Sequence, residues 1–313
     1  MKVLVTGGAG FIGSNFVHYV LQNDPTWDIT VFDALTYAGR ADNIPEIIPL
    51  IHGDVAGPEV EQAIESFAPS LVVHFAAESH VDRSITNAND FVDTNIVGTF
   101  RILEACRRIG ATLLHVSTDE VYGSVPYGLS KEDAPLNPTN PYAASKASSD
   151  LLVLSYIKTH NFPAIITRCT NNYGPRQFPE KYIPLLITNA IRNRLLPIYG
   201  DGQQVRDWIY VEDHCAAIKA IVDAGRWGEI YNISAERPIT NNLVASRICT
   251  ELNKSNSIVT YVPDRPAHDR RYALDASKLR DDLNWTPRFN FEHGLRLTVE
   301  WYRMNQRWWK SRV

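Results

Sequence analysis

The sequence predicts an α/β fold, with a Rossmann-type doubly wound parallel sheet followed by a smaller C-terminal α/β domain that binds the substrate. Three observations lead to this prediction. Short apolar strands alternate with helices through the first half of the chain, a glycine-rich loop directly follows the first strand, and Pro, Asn and aromatic residues become frequent from Cys169 onward. We therefore expect one domain in residues 1–168 and a second in residues 169–313, with a segment near 206–224 returning to the first.

The composition is that of an ordinary globular protein, with 44% hydrophobic residues, 21% charged residues and a net charge of -4. Because the chain has no basic excess, we expect no nucleic acid partner. No apolar run approaches the ~20 residues of a membrane span, and no charged leader precedes the first strand, so we expect a cytoplasmic protein without membrane contact. The scattered cysteines indicate reduced thiols rather than a disulfide frame: Cys106, Cys169, Cys215 and Cys249.

The first strand, residues 3–5, leads into a loop with the pattern GxxGxxG at Gly7, Gly10 and Gly13, and a helix follows to about residue 22. Such a loop lets the backbone approach a pyrophosphate closely. The helix N-terminus adds free N–H groups and a partial positive charge. The pattern therefore predicts that a dinucleotide binds here.

A second strand, residues 28–32, ends at Asp33, which lies about 20 residues past Gly13 and completes the dinucleotide fingerprint. Asp33 can accept hydrogen bonds from the adenosine ribose hydroxyls and would repel a 2′-phosphate. NAD is therefore favoured over NADP as the cofactor. Arg40 is the one nearby residue that weakens this preference.

The fourth strand has a small-residue end and a polar exit. Its Ala76 and Ala77 would let the chain pass close to a bound cofactor. His80 and Asp82 in the exit could suggest a metal, but no further ligands appear at useful spacing, so we expect no metal site. The alternation that leads to this strand and past it continues at residues 48–54, 59–67, 71–77 and 90–109.

The central strand, residues 113–117, stops at a hydroxyl and two adjacent carboxylates: Thr118, Asp119 and Glu120. Ligands of open α/β sheets bind outside the carboxyl ends of the strands, so these side chains indicate chemistry. The alternative is a strand that simply ends in a polar turn.

A helix should begin where Asn140 can act as the N-cap and a proline follows it. This helix places Tyr142 and Lys146 on one face, one turn apart. Tyr127 and Lys131 have the same YxxxK spacing, but they lie in a Gly- and Pro-containing loop where nothing aligns them. We interpret that second pair as a chance match.

The second half of the chain is less regular. Residues 264–272 contain four potential cations, which indicates either a solvated surface or a clamp that binds a diphosphate through Arg side chains. We expect the tryptophan-rich final helix to pack or to contact a partner rather than to bind a ligand. The remaining predicted elements are strands or extended pieces at 164–168, 196–199 and 206–210, and helices at 184–194 and 213–223.

These groups suit hydride chemistry. A tyrosine with a pKa near ~10 is no base at neutral pH unless a cation lowers that pKa, and Lys146 can do so. Tyr142 would remove a hydroxyl proton as hydride leaves the same carbon for NAD, while Lys146 also holds the nicotinamide ribose. Thr118 would share the hydrogen bond of that hydroxyl. Asp119 and Glu120 imply two further proton transfers, one by an acid and one by a base.

The sequence resembles the dTDP-glucose 4,6-dehydratases of the extended short-chain dehydrogenase/reductase superfamily. The resemblance runs nearly end to end. The motifs that carry it are TGGAGFIGS, HFAAESHVDRSI, STDEVYG, YAASKASSD, NNYGP, FPEK, LPIYGDG, RDWIYVEDH and DRPAHDRRY.

The resemblance implies a hydro-lyase that converts dTDP-glucose to dTDP-4-keto-6-deoxyglucose and water. Hydride passes from carbon 4 to NAD with Tyr142 as the base. Glu120 then takes the proton of carbon 5 while Asp119 protonates the hydroxyl that leaves carbon 6, and hydride returns from the cofactor to carbon 6. The resemblance also implies a homodimer built from a bundle of the helices around 90–109 and 142–159.

The family's binding residues carry over one by one. The cofactor contacts fall on Phe11, Ile12, Asp33, Asp54, Val55, Ala76, Ala77, Thr94, Tyr142, Lys146 and Asn172. The sugar-nucleotide contacts fall on Ser79, Thr118, Asn171, Lys181, Tyr182, Pro197, Tyr199, Arg206, Asn241, Arg265 and His268. The chain departs from the commonest family pattern at Tyr182, where Leu is usual, and at Thr170, Ala267, Arg176 and Gln177.

Three alternatives stay open. A sugar-nucleotide 4-epimerase uses the same Tyr and Lys, but it needs no acid and base after Thr118, so Asp119 and Glu120 argue against it. A UDP-sugar 4,6-dehydratase would differ in the base, and the sequence leaves thymidine versus uridine open. An NAD-binding regulatory or scaffold protein would keep the fold without turnover, although every proposed catalytic group is present.

Overall fold

Seven parallel strands form the central sheet in a computed structural model that describes residues 1–310. The strands in chain order are β1 Lys2–Thr6, β2 Asp28–Asp33, β3 Leu50–His52, β4 Leu71–His74, β5 Thr112–Thr118, β6 Ala164–Cys169, β7 Asn171–Tyr173, β8 Leu196–Tyr199, β9 Val205–Arg206, β10 Trp208–Tyr210, β11 Ile230–Ile233, β12 Ile239–Thr240 and β13 Val259–Val262. The order across the sheet is β11-β6-β5-β4-β1-β2-β3, and every neighbouring pair is parallel. The predicted Rossmann-type α/β fold is confirmed.

The helices cover both faces of this sheet and build most of the C-terminal part. They are α1 Phe11–Asn23, α2 Glu59–Phe67, α3 Val81–Thr86, α4 Asn89–Phe91, α5 Gly98–Ile109, α6 Pro141–His160, α7 Tyr182–Ile191, α8 Val211–Ala224, α9 Asn241–Glu251, α10 Ser277–Leu283, α11 Phe291–Met304 and α12 Gln306–Lys310. No helix among residues 1–310 combines the length and the apolar character of a transmembrane span.

Two apolar cores flank the sheet. Successive strand residues point to opposite faces, so β1 sends Val3 and Val5 into one core and Leu4 into the other. Helices α1 and α8 pack together over the first face, and α2, α5 and α6 cover the second. Because both faces of the sheet are buried, its strands have near-continuous apolar sequences, which allowed them to be predicted from the sequence.

A third core lies in the C-terminal part, where α7, α9 and α11 pack together. Trp309 is fully buried there, and its Nε1 donates a hydrogen bond of 2.7 Å to the carbonyl oxygen of Tyr302. Trp308 reaches back to the N-terminal part, where its Nε1 donates to Asn43 Oδ1 at 2.8 Å. The tryptophan-rich final segment therefore packs against the rest of the protein, and it forms the two helices α11 and α12 rather than a single helix.

The helix predicted over residues 90–109 is interrupted by a π-helical segment, Val92–Val97. The extra residue of a π turn changes the direction of the side chains it carries. Asn95 in this segment donates from Nδ2 to the carbonyl oxygen of Glu78 at 3.0 Å and to Ser145 Oγ at 2.8 Å. The irregular turn thus joins the exit of β4 to α6. Strand β11, which joins the sheet beside β6, was also missed by the sequence analysis, as were α9, α10 and the short strands β12 and β13.

The strand order places the cleft. The chain moves outward from β1 through β2 to β3 and then crosses to β4 on the other side of β1, so the topological switch point lies between β1 and β4. Ligands of open α/β sheets bind at this point, outside the carboxyl ends of the strands. The glycine loop after β1, the polar exit of β4 and the acidic end of β5 meet there.

Candidate active site

One cavity of about 600 Å³ occupies the cleft at the carboxyl edge of the sheet. Every residue that the sequence predicts for catalysis, cofactor binding or substrate binding lies along its wall. The volume is in the range of sites that bind small molecules and cofactors. The structure therefore brings the predicted site residues together in one cavity. The individual roles of these residues stay predictions.

The glycine loop leaves room for a ligand by close backbone packing. A Cβ atom at Gly7, whose φ is +70°, would lie 2.4 Å from the backbone nitrogen of Ala76, and one at Gly13 would lie 2.3 Å from the carbonyl oxygen of Gly7. Gly10 is the N-cap of α1 and offers no side chain to cap its first amides, and the first turn of α1 carries no acidic residue. This uncapped helix N-terminus suits a pyrophosphate.

Asp33 is held in place at the end of β2. Its Oδ2 accepts a hydrogen bond from the backbone N–H of Ala9, and its Oδ1 accepts one from Leu35, both at 2.8 Å. Burial raises the pKa of Asp33, and these N–H groups oppose that effect. Arg40, the residue that weakened the preference for NAD, is paired with the carboxylate of Asp42. The donor and acceptor set at this end of the cavity fits the adenosine ribose of a dinucleotide.

Tyr142 and Lys146 lie in the first two turns of α6, which starts as predicted. Asn140 Oδ1 accepts a hydrogen bond from the N–H of Ala143 at 2.9 Å and so caps the helix. Both Tyr142 and Lys146 are buried, and Lys146 Nζ donates to the carbonyl oxygen of Val116 at 2.8 Å. Tyr127 of the second YxxxK match is 92% exposed, outside the cavity.

The pKa of Tyr142 differs from the sequence-based expectation. Burial raises it well above its usual value, the Glu120 carboxylate raises it further, and the hydrogen bond with Thr118 opposes them. Burial also lowers the pKa of Lys146 to about 8. The expectation that Lys146 brings the pKa of Tyr142 down is therefore not met, because desolvation outweighs a cation whose ammonium group is directed at Val116.

Asp119 has the surroundings of a general acid. It begins a short 3-10 helix, Asp119–Tyr122, directly after β5, and it is buried. Burial, followed by the charge of Glu120, raises its pKa well above the usual range for a carboxyl group. Its Oδ1 accepts a hydrogen bond from Thr118 Oγ1 at 3.2 Å, whereas its Oδ2 has no hydrogen-bond partner among residues 1–310. A protonated carboxyl group with one free oxygen can donate its proton to a ligand.

Glu120 has different surroundings from its neighbour. Its Oε2 lies 3.3 Å from Asn140 Nδ2 and 3.3 Å from the hydroxyl of Tyr272. Asn140 Nδ2 donates to this oxygen, whereas Asp119 Oδ2 has no such donor among residues 1–310. Two adjacent carboxyl groups in unlike environments are what an acid and a base require.

The C-terminal part supplies cations to the opposite wall of the cavity. Arg265 donates to Asp82 Oδ1 at 3.1 Å, and Lys181 Nζ donates to the carbonyl oxygen of Ser79 at 2.8 Å, so both reach across the cleft. Tyr199 also donates to Asp82, at 3.2 Å to Oδ2. The two parts of the chain thus close the cleft between them.

The cation-rich stretch 264–272 divides between the two functions considered for it. Arg265 and His268 line the cavity, as a diphosphate clamp would. Arg270 instead pairs with Asp201 at the surface, and Arg271 donates to the carbonyl oxygens of Val125 and Gly128. Within residues 1–310, no group of three or more His, Cys, Asp or Glu side chains could hold a metal ion.

Two residues near the acidic pair were missed by the sequence analysis. Tyr272 touches Glu120 although 152 positions separate them, and Asp269 accepts a hydrogen bond from Tyr272. The only signal for either was their place in the stretch 264–272. Trp208, on which the ring of Tyr182 stacks at a centroid distance of 6.2 Å, was also missed as part of the wall.

Comparison with known proteins identifies the family. A sequence model of the family described as GDP-mannose 4,6 dehydratase matches residues 4–298. A dTDP-glucose 4,6-dehydratase of Streptomyces antibioticus is 46% identical over 99% of this chain and 95% of its own length. One from Mycobacterium tuberculosis is 45% identical over 99% of this chain and 96% of its own length. The chain belongs to the dTDP-glucose 4,6-dehydratase family.

Solved structures agree with this assignment. The dTDP-glucose 4,6-dehydratase DesIV of Streptomyces venezuelae, solved with NAD bound, has a TM-score of 0.95 and 44% identity, covering 99% of both chains. A UDP-glucose 4-epimerase of Thermus thermophilus has a TM-score of 0.92 but only 32% identity, covering 97% of this chain and 100% of its own. The epimerases therefore share the fold, and the distinction between the two activities rests on sequence and on the site.

Proposed function

We propose that the protein is an NAD-dependent dTDP-glucose 4,6-dehydratase, which converts dTDP-glucose to dTDP-4-keto-6-deoxyglucose and water. The observation that carries this proposal is the pair of unlike carboxyl groups beside Tyr142. Asp119 is buried with a strongly raised pKa, and Glu120 is buried beside the amide of Asn140, which donates to it, and the hydroxyl of Tyr272. Elimination of water needs one acid and one base besides Tyr142, and a simple oxidation at carbon 4 needs only Tyr142.

The residues at the N-terminal end of the cavity fit NAD. The glycine loop and the uncapped N-terminus of α1 would hold the pyrophosphate, Asp33 the adenosine ribose, and Lys146 the nicotinamide ribose. NAD, when bound, supplies a hydride acceptor for carbon 4 and a hydride donor for carbon 6. The other proposed contacts are Phe11, Ile12, Asp54, Val55, Ala76, Ala77, Thr94, Tyr142 and Asn172.

The chain's own groups move the protons. Tyr142 accepts the proton of the hydroxyl on carbon 4, with Thr118 hydrogen-bonded to the same oxygen. Glu120 accepts the proton of carbon 5, which the new ketone makes acidic. Asp119 gives its proton to the hydroxyl that leaves carbon 6. The buried Asp119, whose pKa is raised, starts as the protonated acid that its step requires.

The opposite wall would bind the nucleotide diphosphate. Arg265, Arg206 and Lys181 bring positive charge to this side of the cavity, and Arg side chains form the strongest hydrogen bonds to phosphate. The further proposed sugar-nucleotide contacts are Ser79, Thr118, Asn171, Tyr182, Pro197, Tyr199, Asn241 and His268.

One experiment separates the candidate functions. Purified protein is incubated with dTDP-glucose in deuterated water, and the product is analysed by NMR. The dehydratase gives a 4-keto-6-deoxy product with solvent deuterium at carbon 5, an epimerase gives the galactose isomer without it, and a scaffold gives no product. A parallel incubation with UDP-glucose decides between thymidine and uridine.

We also propose a homodimer formed by a bundle of the helices around residues 90–109 and 142–159. Large apolar side chains on these helices point outward: Val92 is 45% exposed, Phe100 46% and Leu151 57%. Apolar side chains grouped on adjacent helices are typical of a subunit interface. The double variant Phe100→Glu, Leu151→Glu should elute as a monomer in size exclusion with light scattering, whereas the exposed control Met304→Glu should leave the mass of the assembly unchanged.

The division of the chain is a further proposal. We assign residues 1–168 to the NAD-binding domain and 169–313 mainly to the sugar-nucleotide domain, with a returning segment near 206–224. The packing of α8 on α1 supports that return. We propose a cytoplasmic location because all four cysteines are buried free thiols, which suits a reducing compartment.

A further inference from the structure

The hydroxyl of Tyr272 lies between two carboxyl groups. It is 2.6 Å from Asp269 Oδ2 and 3.3 Å from Glu120 Oε2, and all three residues are buried. A phenol has one proton to donate, and the shorter contact shows that this proton is directed at Asp269. The oxygen lone pairs of Tyr272 are then left to accept a proton from Glu120.

The chain of hydrogen bonds continues to the protein surface. Asp269 Oδ2 also accepts a hydrogen bond from Thr139 Oγ1 at 2.5 Å. Thr139 is an exposed residue of the loop before α6. A continuous path of hydrogen-bonding groups therefore leads from the catalytic cavity to solvent. It runs through Glu120, Tyr272, Asp269 and Thr139, which come from three separate segments of the chain.

The central members of this path are held in place. The guanidinium of Arg206 lies over the ring of Tyr272, 4.2 Å from its centroid, and donates to the carbonyl oxygen of Asp269 at 2.9 Å. Asn140, which caps the helix of Tyr142, contacts the same Oε2 of Glu120 as Tyr272 does. The hydroxyl of Tyr272 thus has a fixed position relative to the proposed base.

We propose that Tyr272 and Asp269 form a proton relay that connects Glu120 with solvent. This inference rests on the proposed function, in which Glu120 takes a proton from carbon 5 and carbon 5 later receives one. Between these events a sugar in the cavity would cover the inner side of Glu120. The relay provides a path by which the proton on Glu120 can reach solvent without passing through the cavity.

The transfer balances without any further reactant. The O–H bond of protonated Glu120 breaks as its proton binds the oxygen of Tyr272. At the same time the original O–H bond of Tyr272 breaks, and the proton that Tyr272 carried binds Asp269. Asp269 then loses a proton through the hydroxyl of Thr139 to water. Glu120 is again a carboxylate, one proton has reached solvent, and no electrons have been transferred. The reverse sequence brings a solvent proton to Glu120 for delivery to carbon 5.

The test follows the label at carbon 5. dTDP-glucose that carries deuterium at carbon 5 is converted in ordinary water, and the deuterium that remains at carbon 5 of the product is measured. In the wild-type protein the relay exchanges the abstracted deuteron with solvent, so little label returns. In Tyr272→Phe we expect the ratio of returned to exchanged label to rise by about tenfold or more, because proton-transferring groups typically contribute factors of about 10²–10⁴.

Two further variants make this test specific. Asp269→Asn, in which the amide does not accept the relayed proton, should raise the returned label in the same way. Tyr173→Phe removes another buried tyrosine hydroxyl, one that donates to the carbonyl oxygen of Phe291 at 3.1 Å outside the cavity, and should leave the ratio unchanged. If Tyr272→Phe does not fold, as judged by circular dichroism, Asp269→Asn provides the measurement.

The possible outcomes separate the relay from the proposed function. A wild-type protein that yields no 4-keto-6-deoxy product refutes the function itself. Normal product with an unchanged label ratio in folded Tyr272→Phe and Asp269→Asn overturns the relay alone, because Glu120 would then exchange directly with water in the cleft. A fall in turnover with an unchanged ratio also overturns it and leaves Tyr272 a structural role.

Discussion

Lys146 Nζ donates a hydrogen bond of 2.8 Å to the carbonyl oxygen of Val116, which joins the helix that carries Tyr142 to the strand that ends at Thr118. The bond keeps the ammonium group inside the cavity, where burial lowers its pKa to about 8. A lysine that titrates this close to neutral pH has given up much of the stability of its charged form. Burial of this ammonium group lowers the stability of the folded protein, but it places a positive charge beside the proposed reacting hydroxyl.

We therefore expect Lys146→Met to lose activity without losing stability. A fall of the pKa from 10.5 to about 8 means a cost of roughly 3 kcal/mol for the buried ammonium at neutral pH, and the lost hydrogen bond is worth only about 1 kcal/mol. The thermal midpoint at pH 7 should not fall, while turnover should fall by about 10²-fold or more.

The pH dependence of this stability difference checks its cause. Between about pH 8 and 10.5 the unfolded chain binds more protons at this lysine than the folded chain does, so the wild-type protein gains stability as the pH rises. The advantage of Lys146→Met should shrink across that window. A variant that is much less stable than wild type at pH 7 would contradict the prediction.

Asp119→Asn should block elimination after oxidation at carbon 4 has occurred. Asn cannot protonate the leaving hydroxyl, so product formation should fall by about 10²–10⁴-fold. The absorbance of the reduced nicotinamide should then persist after substrate is added to the holoenzyme. Rapid return of that absorbance with normal product would show that another group is the acid.

Asp119 also affects stability in a direction that can be measured. Its folded pKa is raised, so above about pH 4 the folded protein holds a proton that the unfolded chain has lost, and wild-type stability falls as the pH rises. Asp119→Asn lacks this titration. The variant should gain stability relative to wild type as thermal midpoints are compared from pH 4 to pH 8.

Glu120→Gln should keep folding and cofactor binding but stop product formation, because the proton on carbon 5 has no acceptor. The comparison with Asp119→Asn assigns the two roles. Solvent deuterium should still enter carbon 5 of the oxidised sugar in Asp119→Asn and should not enter it in Glu120→Gln. Unchanged turnover in Glu120→Gln would refute its assignment as the base.

The part of this site that depends on local sequence was predictable. The glycine loop, Asp33, the acidic pair after β5 and the capped helix of Tyr142 and Lys146 each follow from a short pattern whose geometry is set by the strand or helix that carries it. All of them line one cavity. The strands of the sheet were predictable for the same reason, because burial on both faces demands apolar runs.

The rest depends on contacts between distant residues. Tyr272 meets Glu120 across 152 positions, and only the packing of the C-terminal part on the cleft brings them together. The predicted direction of the pKa shift of Tyr142 was wrong, because the spacing of residues in a sequence reveals a neighbouring cation but not the depth of burial. The π-helical segment around Asn95 was missed because one extra residue in a turn leaves the apolar period of the helix almost unchanged.

Arg265 should contribute to substrate binding rather than to the chemical steps, because its guanidinium donates to Asp82 across the cleft rather than to the proposed acid or base. Arg265→Ala should raise KM for dTDP-glucose by roughly 10- to 100-fold, as expected for the loss of a charged hydrogen bond worth about 1.5–3 kcal/mol, with little change in kcat. Arg270 is a matched control, since it pairs with Asp201 at the surface. Equal effects of Arg265→Ala and Arg270→Ala on KM would contradict a specific diphosphate contact.

Asp150 and Arg168 form a buried ion pair beneath the site. Arg168 Nε donates to Asp150 Oδ2 at 2.8 Å, and its guanidinium also donates to the hydroxyl of Tyr122 at 2.7 Å. The pair joins the helix of Tyr142 to β6. Because both groups are removed from water, deletion of one partner leaves an uncompensated buried charge, which typically costs about 3–5 kcal/mol.

We expect Asp150→Ala to lower the free energy of unfolding by about 3–5 kcal/mol, measured by urea denaturation with the slope held in common. Arg280→Ala removes one partner of an exposed pair with Glu236, whose N–O distance of 2.9 Å is nearly the same, and should cost under about 1 kcal/mol. The two variants differ in burial far more than in contact geometry, so the difference between them measures desolvation. A cost for Asp150→Ala as small as that for Arg280→Ala would mean that Arg168 finds other partners, and Tyr122 is the nearest candidate.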